Sequence, residues 1–210
     1  MPGTGSLQVV LDLVGIAVAA SAGAWIAVRN GLHLMGGVLL GLVTGLGGAL
    51  VRDVLLGAVP PACLTDWRYL VTALAAGLFA QRFHALPARL DRAVDYLDAV
   101  WLGLFTVAGA LKAVHLGVPP ITCVLMGVVT GIGGGVLRDV LVNRKPVVLT
   151  DEIYLFPSLL AALVVVLAPM VGASAAAVTV PAAALGTAVR MVAIRRGWHG
   201  PSVRRAAPQL

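Results

Sequence analysis

The sequence predicts an all-α membrane protein with seven transmembrane helices, built as two inverted three-helix repeats plus a seventh helix. Three observations predict this class: an apolar composition, seven apolar segments, and a twelve-residue motif that occurs twice. The 210 residues are 60% hydrophobic and 11% charged, with a mean hydropathy of +0.98, whereas soluble domains are about 25% charged. This composition excludes soluble, disordered and collagen-like classes, and the continuous apolar runs disfavour an outer-membrane β-barrel.

Seven apolar segments alternate with polar stretches or with glycine and proline, and a spanning helix needs roughly 20 apolar residues. We expect residues 1–192 to form a single transmembrane domain and residues 193–210 to form a basic cytoplasmic tail. Because only Pro169 and Gly172 separate the last two segments, a six-helix arrangement also stays open. The segments are 7–28, 33–56, 69–83, 97–114, 119–142, 153–168 and 173–192.

The positive charges lie mostly on one side of these segments. The formal net charge is +6. With the loops assigned alternately to two sides, eleven Lys and Arg residues fall on the side of the C-terminus and two on the other. Because basic loops stay in the cytoplasm, we expect a multi-pass protein of the cell (inner or plasma) membrane, with its N-terminus outside and its C-terminus in the cytoplasm. The sequence has no basic stripe with interleaved aromatic residues, so we expect no nucleic-acid partner.

An internal repeat is the strongest signal. The motif at Thr44–Leu55 recurs at Thr130–Leu141, 86 residues later, with eight of twelve positions identical. The same offset pairs Asp12 with Asp98. The halves are repeat one, about 7–83, and repeat two, about 97–169, followed by the extra helix, about 173–192. Because each repeat has an odd number of helices, the two enter the membrane from opposite sides, as in many transport proteins.

Glycines cluster near the middle of the second and fifth predicted helices. Glycine costs roughly 1 kcal/mol relative to alanine inside a helix, so these clusters predict a kink or break whose freed carbonyls line a polar path. Close helix packing through small residues is the alternative. Thr44 and Thr130 either line that path or donate to the carbonyl four residues earlier. The candidate pore glycines are Gly45, Gly47, Gly48, Gly131, Gly133, Gly134 and Gly135.

Each glycine cluster is followed by a charged pair, Arg52-Asp53 in repeat one and Arg138-Asp139 in repeat two. Charged residues within spans usually face a bundle interior or a water-filled path. Helix neighbours point about 100° apart, so we expect each arginine to pair with the aspartate of the other repeat rather than with its own neighbour. These four residues are candidate pore or gating charges. A purely structural ion-pair cluster is the alternative.

Other charged and aromatic residues have two interpretations each. Asp12 and Asp98 either attract cations at two mouths of the path or favour the N-terminus of their own helix. Lys112 is either a basic pore group or an anchor that extends to the interface. Asp66 and Asp151 look like N-caps of the third and sixth helices. Tyr69, with Trp25, Trp67 and Trp101, fits an aromatic belt at the membrane interface.

The helix count and the doubled motif resemble the prokaryotic trimeric intracellular cation channels, the TRIC family. The resemblance covers about residues 7–192 and implies a homotrimer in which each protomer has its own pore. The second and fifth helices, kinked at Gly45–Gly48 and Gly131–Gly135, would line it, and potassium and less selectively sodium would pass. Animal members carry Lys-Glu-Val after a glycine run, where this chain has Arg-Asp-Val. Some bacterial relatives are associated with uptake of glycine.

The sequence therefore predicts a monovalent cation channel, permeable to potassium, with a pore within each protomer. A secondary transporter of a small amino acid such as glycine is the alternative, because broken helices at a repeat interface suit a zwitterion equally well. A third class is a membrane scaffold without transport. No catalytic motif occurs, so an enzyme is not expected. No cofactor or metal site is expected beyond permeant potassium or sodium ions and bound membrane lipid.

Overall fold

The computed structural model describes residues 5–82, 91–150 and 153–198. Within these ranges the chain is entirely helical, with nine α-helices and one 3-10 helix at Ala168–Val171. Most of the predicted tail and the cap predicted at Asp151 lie outside the described residues. The α-helices are α1 Ser6–Arg29, α2 Leu34–Leu55, α3 Ala62–Thr65, α4 Trp67–Arg82, α5 Asp91–His115, α6 Pro120–Leu141, α7 Val147–Thr150, α8 Leu155–Leu167 and α9 Ala175–Arg196.

Every predicted apolar segment corresponds to a helix, but the helices differ in length. Five of them, α1, α2, α5, α6 and α9, are long and apolar enough to cross a membrane. The other two, α4 and α8, have 16 and 13 residues. At 1.5 Å per residue they extend about 24 Å and about 20 Å, less than a hydrocarbon core of about 30 Å. The count of seven spans therefore stays a prediction, whereas a multi-span helical architecture is established.

The two short helices α3 and α7 were not predicted from the sequence. Each follows the charged pair of its repeat and precedes a longer helix. At the start of α4, Asp66 accepts a hydrogen bond from the backbone N–H of Arg68 at 3.0 Å, so it caps α4 as predicted. The Arg68 side chain also donates to this partly exposed carboxylate and holds the pKa of Asp66 below its ordinary value.

The helices pack as two related groups of three. In repeat one α1 packs against α2 and α4, and in repeat two α5 packs against α6 and α8. The groups meet where α2 crosses α6 and where α1 packs against α5. The last helix, α9, packs on α5 and α8. Since α9 covers repeat two, the molecule is only approximately symmetric.

The crossing of α2 and α6 brings two backbones into direct contact. A Cβ atom added at Gly48 would overlap the carbonyl oxygen of Thr130, and one added at Gly134 would overlap the carbonyl oxygen of Thr44. These four residues are equivalent in pairs at the 86-residue offset. The pseudo-two-fold relation between the repeats therefore passes through this crossing, and only glycine fits there.

The same packing recurs inside each repeat. Thr44 donates to the Leu40 carbonyl at 2.6 Å, and Thr130 donates to the Met126 carbonyl. Each threonine lies against a glycine of the preceding long helix, Gly23 for Thr44 and Gly109 for Thr130. Of the two roles predicted for the threonine hydroxyls, the structure shows the bond within the helix. Both side chains are fully buried in the described conformation.

The breaks predicted in the second and fifth predicted helices, which are α2 and α6, are wrong. Both α2 and α6 run as continuous α-helices through their glycine clusters. The glycines serve close packing instead: Gly45 faces Ala20 and Ile16 of α1, and Gly131 faces Thr106 of α5. Small residues let helix backbones approach within a membrane, where van der Waals contact drives association. A kink within a continuous helix stays a prediction.

Candidate functional site

Two buried charge clusters lie at equivalent places in the repeats. In repeat one, Arg52 donates to both carboxylate oxygens of Asp12, Nη1 to Oδ1 at 3.0 Å and Nη2 to Oδ2 at 3.3 Å. Its Nε donates to Asp53 Oδ1 at 2.7 Å. The side chain of Arg52 is 0% exposed. A buried guanidinium is stabilised only when its donors are satisfied, which explains why two aspartates surround it.

Two further groups complete the repeat-one cluster. The hydroxyl of Tyr69 donates to Asp12 Oδ2 at 3.2 Å. The Lys112 ammonium, from α5 of the other repeat, donates to Asp53 Oδ1 at 2.7 Å. The second oxygen of Asp53 accepts the backbone N–H of Ala62 at 3.0 Å, so this carboxylate also holds the start of α3. We call Asp12, Arg52, Asp53, Tyr69 and Lys112 the repeat-one cluster.

Repeat two has the same core. Arg138 Nε donates to Asp139 Oδ1 at 2.8 Å, and its Nη1 donates to Asp98 Oδ1 at 3.4 Å. Tyr154 hydrogen-bonds to Asp98, as Tyr69 does to Asp12. The second oxygen of Asp139 accepts the backbone N–H of Val147 at 3.2 Å, at the start of α7. We call Asp98, Arg138, Asp139 and Tyr154 the repeat-two cluster.

The clusters differ in what surrounds this common core. Lys112 belongs to repeat two but reaches the repeat-one cluster. Its equivalent in repeat one is Ile26, so no lysine at this position reaches the repeat-two cluster. Instead the Arg138 guanidinium lies over the ring of Trp101 at 4.9 Å, and Arg190 of α9 lies over the ring of Tyr154 at 4.6 Å. Arginine stacks well on aromatic faces, especially when desolvated. The helix α9, which lies outside the repeats, thus contributes a buried cation beside the repeat-two cluster.

The pairing expected between the repeats is wrong. Arg52 pairs with Asp12 and Asp53, and Arg138 pairs with Asp98 and Asp139, all within their own repeats. The helical angle fixes only the direction in which a side chain leaves the backbone. The long guanidinium of arginine reaches further, and its Nε can turn back to the neighbouring carboxylate. Lys112 and Asp53 form an ion pair that does join the repeats.

Three further predicted placements are corrected. Asp12 and Asp98 do not lie at exposed mouths, because they are 1% and 7% exposed and each binds an arginine. Lys112 is not an interfacial anchor, since its ammonium lies in a buried cluster. Tyr69 and Trp101 are each 1% exposed and do not belong to an interfacial belt. Aromatic residues are common at the membrane interface, but the partners of these two, Asp12 for Tyr69 and Arg138 for Trp101, lie inside the protein.

A cavity of about 370 Å³ opens beside the repeat-two cluster. Ile26, the counterpart of Lys112, is part of its wall. Within the described residues, no group of three or more His, Cys, Asp or Glu side chains is placed to hold a metal ion. The charged lining consists of four buried side chains, Asp98, Arg138, Asp139 and Arg190, and four exposed ones, Arg29, Asp95, Arg144 and Lys145.

Comparison with known proteins places this arrangement in a family. A family model described as "Glycine transporter" matches residues 9–85 and 95–170, one match in each half of the chain. A crystal structure of the TRIC trimeric intracellular cation channel orthologue from Rhodobacter sphaeroides superposes with a TM-score of 0.87 at 34% identity, covering 92% of this chain and 100% of that one. The chain belongs to the TRIC family.

Other TRIC-family members agree with this assignment. A structure of a prokaryotic TRIC channel in 0.5 M KCl gives a TM-score of 0.84 at 31% identity, covering 90% of this chain and 96% of that one. A UPF0126 membrane protein of Deinococcus radiodurans is 40% identical over 146 residues, 69% of this chain and 68% of its own length. These relatives indicate a multi-pass membrane protein, and no catalytic family is indicated.

The two tyrosines of the clusters, and Arg190 beside one of them, were not predicted as parts of the site. Tyr69 and Tyr154 lie at equivalent places in the two halves, but they were not connected with Asp12 and Asp98. The signal was present, since a tyrosine and an aspartate that recur together in both halves of a TRIC-family chain point to a shared contact. Arg190 was counted only as a basic residue near the C-terminus, because nothing in its local sequence places it beside Tyr154.

Proposed function

We propose that this TRIC-family protein is a potassium-permeable cation channel with a separate pathway in each protomer of a homotrimer. The observation that carries this proposal is the likeness to TRIC channel structures at 31–34% identity over nearly the whole chain. In each protomer the pathway connects the two charge clusters on either side of the α2–α6 crossing. The basic loops orient the repeat-two cavity toward the cytoplasm.

The charge of the clusters supports conduction of cations. Two buried arginines by themselves would repel a cation strongly at low dielectric. Each arginine, however, is bound by two aspartates, so each ionised Asp-Arg-Asp group has a net charge of −1. In repeat one Lys112 brings this charge to zero. We propose that Lys112 thereby closes the repeat-one end of the pathway in the described conformation.

Recording from the purified protein in a planar bilayer under a potassium gradient tests the channel proposal. We expect discrete current steps with a reversal potential near that of potassium, because the likeness to TRIC cation channel structures supports a cation-selective pathway. The control is a bilayer with detergent and lipid but no protein. An electrically silent protein together with saturable uptake of radiolabelled glycine into liposomes would contradict the channel and support the transporter.

Removing the Lys112 charge tests the closing role of this residue. We expect Lys112→Met to raise potassium current several-fold, because the repeat-one cluster returns to net −1 while the side chain keeps a similar length. Single-channel recording distinguishes a change of open probability from a change of unitary conductance. The control is Arg82→Met, which removes an exposed basic side chain outside the cavity lining and should change current little because solvent screens exposed charges. Equal currents in wild type and Lys112→Met would contradict the role.

A secondary transporter of a small amino acid is the second candidate. The family model carries the description "Glycine transporter", and the repeat-two cavity presents acidic and basic side chains together. Such a lining suits a molecule with both charges, and transporter sites commonly lie between inverted repeats. Glycine uptake that saturates and depends on Asp139 would favour this candidate over a channel.

A further inference from the structure

A buried polar atom beside the repeat-one cluster has no partner among the described residues. Gln8 of α1 is 1% exposed, and its Nε2 donates to Asp12 Oδ1 at 3.3 Å. Its Oε1 is buried too, yet it accepts no hydrogen bond from any residue that the structure describes. Buried polar atoms are almost always hydrogen-bonded, so this amide oxygen is an acceptor available to a donor nearby.

The chemistry of Asp12 fixes which way this amide points. An ionised carboxylate only accepts hydrogen bonds, whereas an amide has two donors on its nitrogen and an acceptor oxygen. The nitrogen of Gln8 therefore faces Asp12, and the oxygen faces away from that carboxylate. A donor for Gln8 Oε1 has to come from a different neighbour.

The pseudo-two-fold relation identifies that neighbour as Lys112. At the repeat-two end, Ile26 of α1 and Val94 of α5 belong to one buried apolar cluster, and both line the cavity. The 86-residue offset relates Ile26 to Lys112 and Gln8 to Val94. Since α1 packs against α5, the same two helices supply the counterparts at the repeat-one end, Gln8 from α1 and Lys112 from α5. Two apolar neighbours at one end thus correspond to two polar neighbours at the other.

Lys112 carries the kind of donor that this oxygen lacks. Its ammonium has three N–H donors on a flexible four-carbon stem. The hydrogen bond to Asp53 Oδ1 at 2.7 Å uses one of them, and Arg52 Nε donates to the same oxygen. Because Lys112 is only 9% exposed, an ammonium that leaves Asp53 stays buried and needs another acceptor within reach of the stem. Gln8 Oε1 is an acceptor at the neighbouring position.

We propose that Gln8 is a positioning residue for Lys112 in the conducting state of the channel. When the ammonium leaves Asp53 it donates to Gln8 Oε1, which leaves a lone pair of Asp53 Oδ1 for a permeant cation. Lys112 then has two defined positions, a closed one on Asp53 and an open one on Gln8. This role rests on the closing function proposed above for Lys112, and it adds the residue that holds the lysine while the pathway is open.

Single-channel recording of two Gln8 variants tests this role. Gln8→Met removes the acceptor, so we expect the open probability to fall about tenfold, the change that one hydrogen bond to a charged group produces, with the unitary conductance unchanged. Gln8→Glu keeps an oxygen acceptor but loses the donor to Asp12, so its open probability should not fall. An unchanged open probability in Gln8→Met, or an equal fall in both variants, would overturn the acceptor role.

Lys112→Met provides the matched background for this measurement. Without an ammonium to hold, loss of the Gln8 oxygen should matter little, so in Lys112→Met we expect Gln8→Met to change the open probability by less than about twofold. A merely structural role of Gln8 would not depend on the lysine. A tenfold fall in this background as well would therefore overturn the positioning role.

Thermal unfolding in detergent tests the contact without any current, which separates this inference from the channel proposal. Asp53→Asn removes the carboxylate charge that holds Lys112 and makes the buried ammonium depend more on Gln8. We therefore expect Gln8→Met to lower Tm by about 2–4 °C more in Asp53→Asn than in the wild type. A silent bilayer together with this extra loss would reject the channel and support the contact, whereas additive losses of Tm would reject the contact.

Discussion

Alanine at Gly134 should strongly destabilise the protein, even though alanine is a better helix former than glycine by roughly 1 kcal/mol. A Cβ atom at this position overlaps the carbonyl oxygen of Thr44, which is backbone of the facing helix. Backbone cannot move aside as a flexible side chain can, so α2 and α6 must separate. We expect destabilisation of about 3 kcal/mol or more, at the upper end of the range for overpacking.

Thermal unfolding in detergent, followed by tryptophan fluorescence, measures this effect. Gly48→Ala should behave like Gly134→Ala, because its Cβ would overlap the carbonyl oxygen of Thr130. Gly77→Ala in α4 is the matched control, since the nearest atom to its added Cβ is the Ala24 Cβ at 3.9 Å. A Tm for Gly134→Ala equal to that of Gly77→Ala would show that the helices do not touch at this crossing.

Replacing Arg52 by methionine should also be strongly destabilising. The substitution keeps an unbranched apolar stem but leaves Asp12 and Asp53 buried with Lys112 as their one remaining cation among the described partners. Removing one partner of a buried ion pair costs about 3–5 kcal/mol because the remaining charge stays desolvated. The measurement is again the shift in Tm in detergent.

Two further variants separate charge from packing at this position. Combining Arg52→Met with Asp12→Asn removes one unpaired carboxylate and leaves Asp53 paired with Lys112, so this double variant should recover part of the lost Tm. Arg68→Met breaks an ion pair too, but the Arg68 side chain is 51% exposed and the Asp66 side chain 24% exposed, so no measurable change is expected there. If the double variant is less stable than Arg52→Met alone, a desolvated carboxylate is not the cause of the loss.

Much of the fold follows from local patterns. Apolar segments long enough to form helices are determined by composition, because the hydrocarbon core accepts only chain whose backbone bonds are satisfied internally. The inverted arrangement follows from counting, since two successive units with an odd number of helices enter from opposite sides. Asp12 and Arg52 recur as Asp98 and Arg138, and this recurrence identified all four as candidate site residues before their contacts were known.

The partners of those residues could not be obtained in this way. Pairing depends on where side-chain tips meet after helices pack, and a guanidinium extends far from its Cα. Thus Arg52 turns to Asp53, its own neighbour, which the helical angle argued against. The glycines were ambiguous for a related reason: a glycine cluster permits either a broken helix or a close crossing, and only the facing carbonyls of Thr44 and Thr130 distinguish the two.

The sequence by itself thus determined a helical membrane protein with two inverted repeats and a charged pair in each, because periodicity, hydropathy and recurrence are properties of the chain. The tertiary structure alone decided that Lys112 bridges the repeats to Asp53 while Ile26 leaves Asp139 beside a cavity. The physical reason is that two homologous halves impose the same backbone on different side chains. One position is lysine in one half and isoleucine in the other. The lysine fills the space beside Asp53, whereas the isoleucine leaves a cavity beside Asp139.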